Sequence, residues 1–179
     1  MKKLLLIITT LISLHGSAQV KEVTLQASGL TCSMCSKAIY KALEKMAIAN
    51  HILSNIEEST YTLSFNGNES VDFDAIRKVV ENAGFFVVKM EVKANFDNVK
   101  VQNDTHIILN GKALHFLSVK EQTLSGDQVF QIVDKKFVQD KVYKKYASTT
   151  KMECVKTGTM KACCNKDGKI GERIYHVTV

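Results

Sequence analysis

The sequence predicts an α+β protein in two parts, a βαββαβ half followed by a smaller, mostly-β half. Three observations carry this. Between residues 21 and 93 the apolar residues alternate with period two, then recur with helical spacing, twice over. From residue 97 onward, short alternating runs punctuated by Gly and Asn dominate, with one helical stretch. The chain is 179 residues long, 45% hydrophobic and 23% charged, which suits one ordinary domain or two small ones and excludes compositional disorder.

The N-terminus stands apart. Lys2 and Lys3 precede an apolar stretch from Leu4 to Leu14, then the small residues Gly16, Ser17 and Ala18. This is the pattern of a secretory signal peptide over residues 1–18, with cleavage expected after Ala18. The apolar core is too short for a bilayer span, which needs ~20 residues, and no later run reaches that length. A buried N-terminal helix would leave Lys2, Lys3 and the Thr9–Thr10 pair unexplained. No cysteine stands at the exit for a lipid anchor. The chain is expected to be exported, periplasmic or secreted.

Val23, Leu25 and Ala27 alternate with polar residues and read as a strand, which Ser28 and Gly29 break. Ile39, Ala42, Leu43 and Met46 then share one helix face. A weaker strand pattern covers His51–Ile56, and Tyr61, Leu63 and Phe65 form another before the turn signal Asn66-Gly67-Asn68. Asp72 or Asp74 opens a second helix with Phe73, Ile76, Val80 and Ala83 on one face, and Gly84 stops it. Phe86, Val88, Met90 and Val92 alternate in a last strand. The order is the split βαβ arrangement of ferredoxin-like domains.

Between the first strand and first helix lies Gly29-Leu30-Thr31-Cys32-Ser33-Met34-Cys35. Two cysteines separated by two residues turn both sulfurs toward one point, and a helix N-terminus favours thiolate over thiol. Two thiolates in an exposed loop suit a soft ion of low coordination number, Cu(I) above all, with Zn(II) or Hg(II) as competitors. A closed structural zinc site needs four ligands. These residues resemble the heavy-metal-associated domain family of small copper chaperones and copper-exporting ATPase N-terminal domains, whose motif is G-M-T-C-x-x-C. Gly29, Thr31, Cys32 and Cys35 are in register, with Leu30 in place of methionine. Asp74-Ala75-Ile76 and Val80-Glu81-Asn82-Ala83-Gly84-Phe85 also match. The resemblance covers about residues 21–93, within a domain expected at 20–93, and implies Cys32 and Cys35 as metal ligands, with a metal-donating or metal-accepting protein as partner. Ala47-Ile48-Ala49-Asn50-His51 departs from the glycine–valine pair the family carries there, implying a longer first helix or an irregular entry to the second strand. His51 is expected at the surface and not as a third ligand.

Two further readings use the same pair. A thiol–disulfide oxidoreductase also employs C-x-x-C, but thioredoxin-like enzymes set a cis-proline against the disulfide and this chain has no proline. A structural disulfide across so tight a loop would be strained and stabilise little.

Residues 94–98 read as a short joint, and 97–179 as a basic, mostly-β domain, OB-like in outline and without a recognised family. Ile107 and Leu109, then Leu114 and Phe116, flank the turn Asn110-Gly111-Lys112; Ser125-Gly126-Asp127 reads as a turn before a strand at Val129–Val133. Asp140–Tyr146 has helical spacing, and Ile174–Val179 ends the chain as a strand. Cys154, Cys163 and Cys164 fall in a loop-like stretch with Met152 and Met160. They form either one disulfide from Cys154 to Cys163 or Cys164, worth roughly 2–3 kcal/mol, or a second soft-metal site with Met and His176. His106 and His115 read as ordinary strand residues.

Charge is lopsided: residues 19–96 carry 8 basic and 9 acidic side chains, residues 97–179 carry 14 and 9. An exported chain rarely meets nucleic acid, so Lys135, Lys136, Lys141, Lys144 and Lys145 read as a solvated face rather than a nucleic-acid site. The expected function is metal transport without catalysis: a Cu(I) carrier or scavenger. An interaction module with accessory metal binding is the remaining alternative.

Overall fold

The computed structural model describes residues 19–30, 32–66, 70–164 and 170–179, apart from the side chain of Cys163. The expected signal peptide over residues 1–18, Thr31 and the 67–68 part of the expected turn lie outside the described residues.

The first half follows the expected order. Strand β1 (Val20–Ser28) leads to helix α1 (Ser33–Glu44), then β2 (His51–Asn55), β3 (Thr60–Ser64), helix α2 (Phe73–Asn82) and β4 (Phe86–Val101). Helix α1 buries Ile39 and Leu43, four residues apart on one face. Asp72 caps α2 by accepting from the Ala75 amide, 3.1 Å. Gly84 ends it at φ +90°, a conformation glycine adopts without steric cost. The departure at 47–51 is an irregular entry and not a longer helix: α1 stops at Glu44, Ala47 takes φ +51°, and β2 begins at His51, which is exposed.

The second half is mostly β: β5 (His106–Leu109), β6 (Lys112–Phe116), β7 (Gln122–Ile132), helices α3 (Asp140–Ala147) and α4 (Cys154–Thr157), and β8 (Ile174–Thr178). Asn110 and Gly111, both at positive φ, close the β5–β6 hairpin with Leu109 opposite Lys112. Lys141, Lys144 and Lys145 are exposed on α3, as are Lys135 and Lys136 before it.

These strands do not form a separate OB-like barrel among the described residues. All eight join one sheet in the order β2-β3-β1-β4-β7-β8-β6-β5, antiparallel except where β8 runs parallel to β6. The seam is β4, whose residues 91–94 pair with β1 on one side and β7 on the other. Residues 94–98, expected as a joint, lie within it, and a bulge between Phe96 and Val99 with Asn98 at φ +52° is what their composition marks. The expected turn at 125–127 is instead the middle of β7, where Gly126 faces Phe96 across that bulge. Bulges also explain a phase error in the sequence reading. Phe86 is 65% exposed and Val88 half-buried, whereas Val87, Met90 and Val92 face the core. A register shift between Gln26 and Ala27 against β4 moves the pleat by one residue.

One apolar core runs through both halves. It joins Leu25, Ile39, Leu63 and Ile76 to Phe96, Phe130, Phe137 and Tyr175. Phe73 of α2 meets Tyr175 of β8 edge to face, centroids 5.1 Å apart. Beside this contact Arg173 binds Asp74 of α2 and Asp134, each at 2.7 Å, and stacks on Tyr175. A smaller cluster under α3 and α4 contains Ala113, Val133, Cys154, Met160, Cys164 and Ile174.

Candidate metal site

Cys32 is the residue that precedes α1. Its backbone is extended, φ −161° and ψ 166°, and its carbonyl accepts from the Cys35 amide at 3.0 Å, the first turn of the helix. The turn brings the two sulfurs to 3.3 Å, well beyond the ~2.05 Å of a disulfide bond. Cys32 is exposed and Cys35 half-buried. The thiol pair therefore stands at the positive end of a 12-residue helix with one sulfur open to solvent.

The loop is held from beneath. Tyr61 on β3 is fully buried and its hydroxyl donates to the Ser36 carbonyl at 3.2 Å, while the Ser36 hydroxyl lies 2.8 Å from it. Burial pushes the Tyr61 pKa above its usual 10.0, the Ser36 hydrogen bond pulls back, and charge on Cys35 adds to the rise. Leu30, in the methionine position, packs against the main core. Gly29 takes φ +90°, so glycine is needed there for its backbone; a Cβ would meet only Phe85 Cδ1, at 3.8 Å. Ser33, Met34, Lys37, Tyr40, Ser54 and Ile56 line a shallow depression beside the pair, with Met34 70% exposed.

The other expected site residues are placed differently. Cys154 is fully buried at the start of α4, and Cys164 is buried in the same apolar cluster, within a 3-10 turn at Ala162–Cys164. His176 lies on β8, with Nδ1 2.5 Å from an Asp134 carboxylate oxygen. The strands bring together two residues the sequence reading set aside. His106 and His115 are register partners across the β5–β6 hairpin, and their rings stack at 4.2 Å. Cys154 Sγ lies 3.6 Å from His115 Nδ1. Burial, and then the neighbouring His106 and His176 rings, press the His115 pKa down to about 4 against the pull of Asp104. The ring is neutral at pH 7. The usable signal was the cross-strand spacing itself: His106 and His115 are symmetric about the Asn110-Gly111 turn.

Comparison with known proteins supports the reading of the first half. A probable copper-exporting P-type ATPase from Archaeoglobus fulgidus is 30% identical over 79 residues, 44% of this chain and 10% of the ATPase. The chain thus corresponds to about a tenth of that relative's length. Among solved structures, the yeast copper transporter domain Ccc2a is 25% identical, covering 36% of this chain and 88% of that one, with a TM-score of 0.33. The N-terminal domain of PacS from Synechocystis PCC6803 is 21% identical over 37% of this chain and 92% of its own, also with a TM-score of 0.33. The resemblance carried by Gly29, Cys32 and Cys35 is borne out at the level of the family: residues 24–86 match the heavy-metal-associated domain.

Proposed function

We propose that this chain is an exported soft-metal carrier or scavenger that binds Cu(I) through Cys32 and Cys35 and passes it to a partner by thiolate exchange. The observation that carries this is the pair of sulfurs 3.3 Å apart at the start of α1, one of them exposed. With metal–sulfur bonds of about 2.3 Å, sulfurs at that separation would subtend only about 90° at an ion. A two-coordinate Cu(I) ion therefore requires the sulfurs to move apart on loading, and exposed Cys32 is the side chain placed to swing. Two ligands leave room for an incoming thiolate, so transfer proceeds through a shared intermediate rather than through a bare ion. The exposed Met34 and Ile56, with Lys37, offer a partner an apolar rim carrying one positive charge. The export signal at residues 1–18 supports action outside the cytoplasm, where bound metal also protects the pair from oxidation. No helix among the described residues is long and apolar enough to cross a membrane.

The test is a Cu(I) competition titration of the reduced chain against a chromophoric chelator, beside a Cys32→Ser/Cys35→Ser variant. The proposal expects the variant to bind one tight equivalent fewer than the intact chain. Undiminished Cu(I) binding in the variant would refute it. Insulin reduction dependent on Cys32 or Cys35, together with no tight Cu(I) binding, would establish the oxidoreductase reading instead.

A further inference from the structure

The β5–β6 hairpin, α4 and the turn before β5 converge on one point. His106, His115 and Cys154 each offer one ligand atom there, and these atoms all lie within 4.8 Å of one another. His115 and Cys154 are fully buried, and His106 is half-buried.

The hydrogen bonds around the rings set which nitrogens face inward. His115 Nε2 lies 3.0 Å from an Asp104 carboxylate oxygen, an acceptor, so this nitrogen carries the proton. Its Nδ1 lone pair is then the atom opposite Cys154 Sγ, 3.6 Å away. His106 Nδ1 lies 3.1 Å from the Asp104 backbone carbonyl, which likewise demands a proton on Nδ1 and leaves the lone pair on Nε2. One residue, Asp104, thus orients both rings through its side chain and its main chain. A carboxylate or carbonyl holding the outer N–H of an imidazole is the characteristic second-shell arrangement of metal-ligating histidine.

A second feature points the same way. His176 packs edge-on against His115 with centroids 5.1 Å apart, and its Nε2 is buried with no hydrogen-bond partner among the described residues. An unsatisfied buried nitrogen costs about 1–3 kcal/mol. The cluster therefore has a buried imidazole nitrogen at its edge, on His176, that a bound water or ion would satisfy.

We propose that His106, His115 and Cys154 form a second metal site, independent of the Cys32–Cys35 pair, that retains one closed-shell ion, Zn(II) or Cu(I). Two imidazoles and one thiolate match the ligand preference of these ions, and three protein ligands leave a fourth position open. Cys154 enters as the thiolate and releases its proton on loading. His176 packs edge-on against His115 and lies outside this set of three ligand atoms.

The experiment uses the full chain carrying Cys32→Ser/Cys35→Ser, reduced and stripped of metal, so that failure of the first site does not enter. It is titrated with Co(II) as spectroscopic stand-in for Zn(II), and separately with Zn(II) and Cu(I) against chromophoric chelators. One equivalent with a thiolate-to-Co(II) charge-transfer band is expected, together with a rise in melting temperature on loading. Cys154→Ser should abolish the band, and His106→Gln should weaken binding at least tenfold. Since His115 is fully buried, the half-buried His106 is the decisive imidazole, with circular dichroism confirming that its variant is folded. Tight Zn(II) or tight Cu(I) binding identifies the ion. Absence of both in the double-serine chain overturns the proposal, as does binding unaffected by Cys154→Ser and His106→Gln.

Discussion

The two sulfur-bearing regions differ in every property that governs exchange. Cys32 and Cys35 sit on a loop at the outer end of a helix, one sulfur exposed, with the Tyr61 hydroxyl bracing the turn from below through Ser36. The His106–His115–Cys154 cluster is enclosed by strands and by α4, and its rings are aimed by Asp104. The first arrangement gives up part of its coordination sphere to remain accessible. The second gives up accessibility and gathers one more candidate ligand. On the functions proposed above, the first would carry cargo that moves and the second an ion that stays.

The largest effect expected on either side is the loss of one tight Cu(I) equivalent, and of transfer from it, in Cys32→Ser/Cys35→Ser. Affinity should drop by more than the 10–100-fold that outer-shell changes typically cost. Transfer to a dithiol acceptor, followed by copper-dependent absorbance, measures it. Equal transfer from both proteins would erase the distinction between the two regions.

On the buried side, Asp134→Ala strips a partner from both Arg173 and His176. Breaking a buried pair costs about 3–5 kcal/mol, and the lower end is expected because the Arg173 side chain keeps 32% of its surface in water. Urea unfolding reads this directly, and a change below 1 kcal/mol would show that the network does not secure the junction between α2 and β8. Gly29→Ala on the exposed side should cost about 1–2 kcal/mol, from placing a Cβ at φ +90°. Tyr61→Phe should cost about 1 kcal/mol by removing one buried hydroxyl from Ser36, while loosening the sulfur spacing. Thermal melts with and without Cu(I) separate the two effects: bound ion should recover more stability in Tyr61→Phe than in Asp134→Ala.

Acid provides the smallest and most local probe. Burial pushes the Asp74 carboxyl up, but Arg173, the Tyr175 hydroxyl and Arg77 outweigh it and hold its pKa below the usual 3.8. The stability this supplies is complete above the unfolded-state value and is lost as pH falls through the lowered one. Asp74→Asn should therefore reduce stability at pH 7 and flatten the acid limb below about pH 4. A parallel pair of pH–stability curves would contradict that assignment.

Much of this was legible in the order of residues. The alternation in β1 and β3, the helical faces of α1 and α2, the Asp72 cap and the Asn110-Gly111 hairpin are all set by contacts within a few residues. The Cys32–Cys35 pair was legible for the same reason, since one turn of helix suffices to juxtapose its sulfurs. Phe86, read in phase with Met90 and Val92, is exposed because an extra residue in β4 between Val87 and Lys89, opposite Gln26 and Ala27, shifts the pleat, and where a strand bulges is set by its pairing with the next strand. Gly126 was read as a turn because glycine at positive φ serves a bulge equally well.

What sequence alone determined is therefore the local and periodic part: the βαββαβ order, the caps, and a dithiol at a helix start, each the product of short-range sterics and hydrogen bonding. Tertiary structure decided that β4 is shared, so that one sheet and one core run through both halves. It also decided that Cys154 meets His115 across 39 positions of chain and that Arg173 reaches Asp74 across 99. Such pairs depend on strand order and on which face each residue presents, and both are settled only when the whole sheet is assembled and its apolar surface buried.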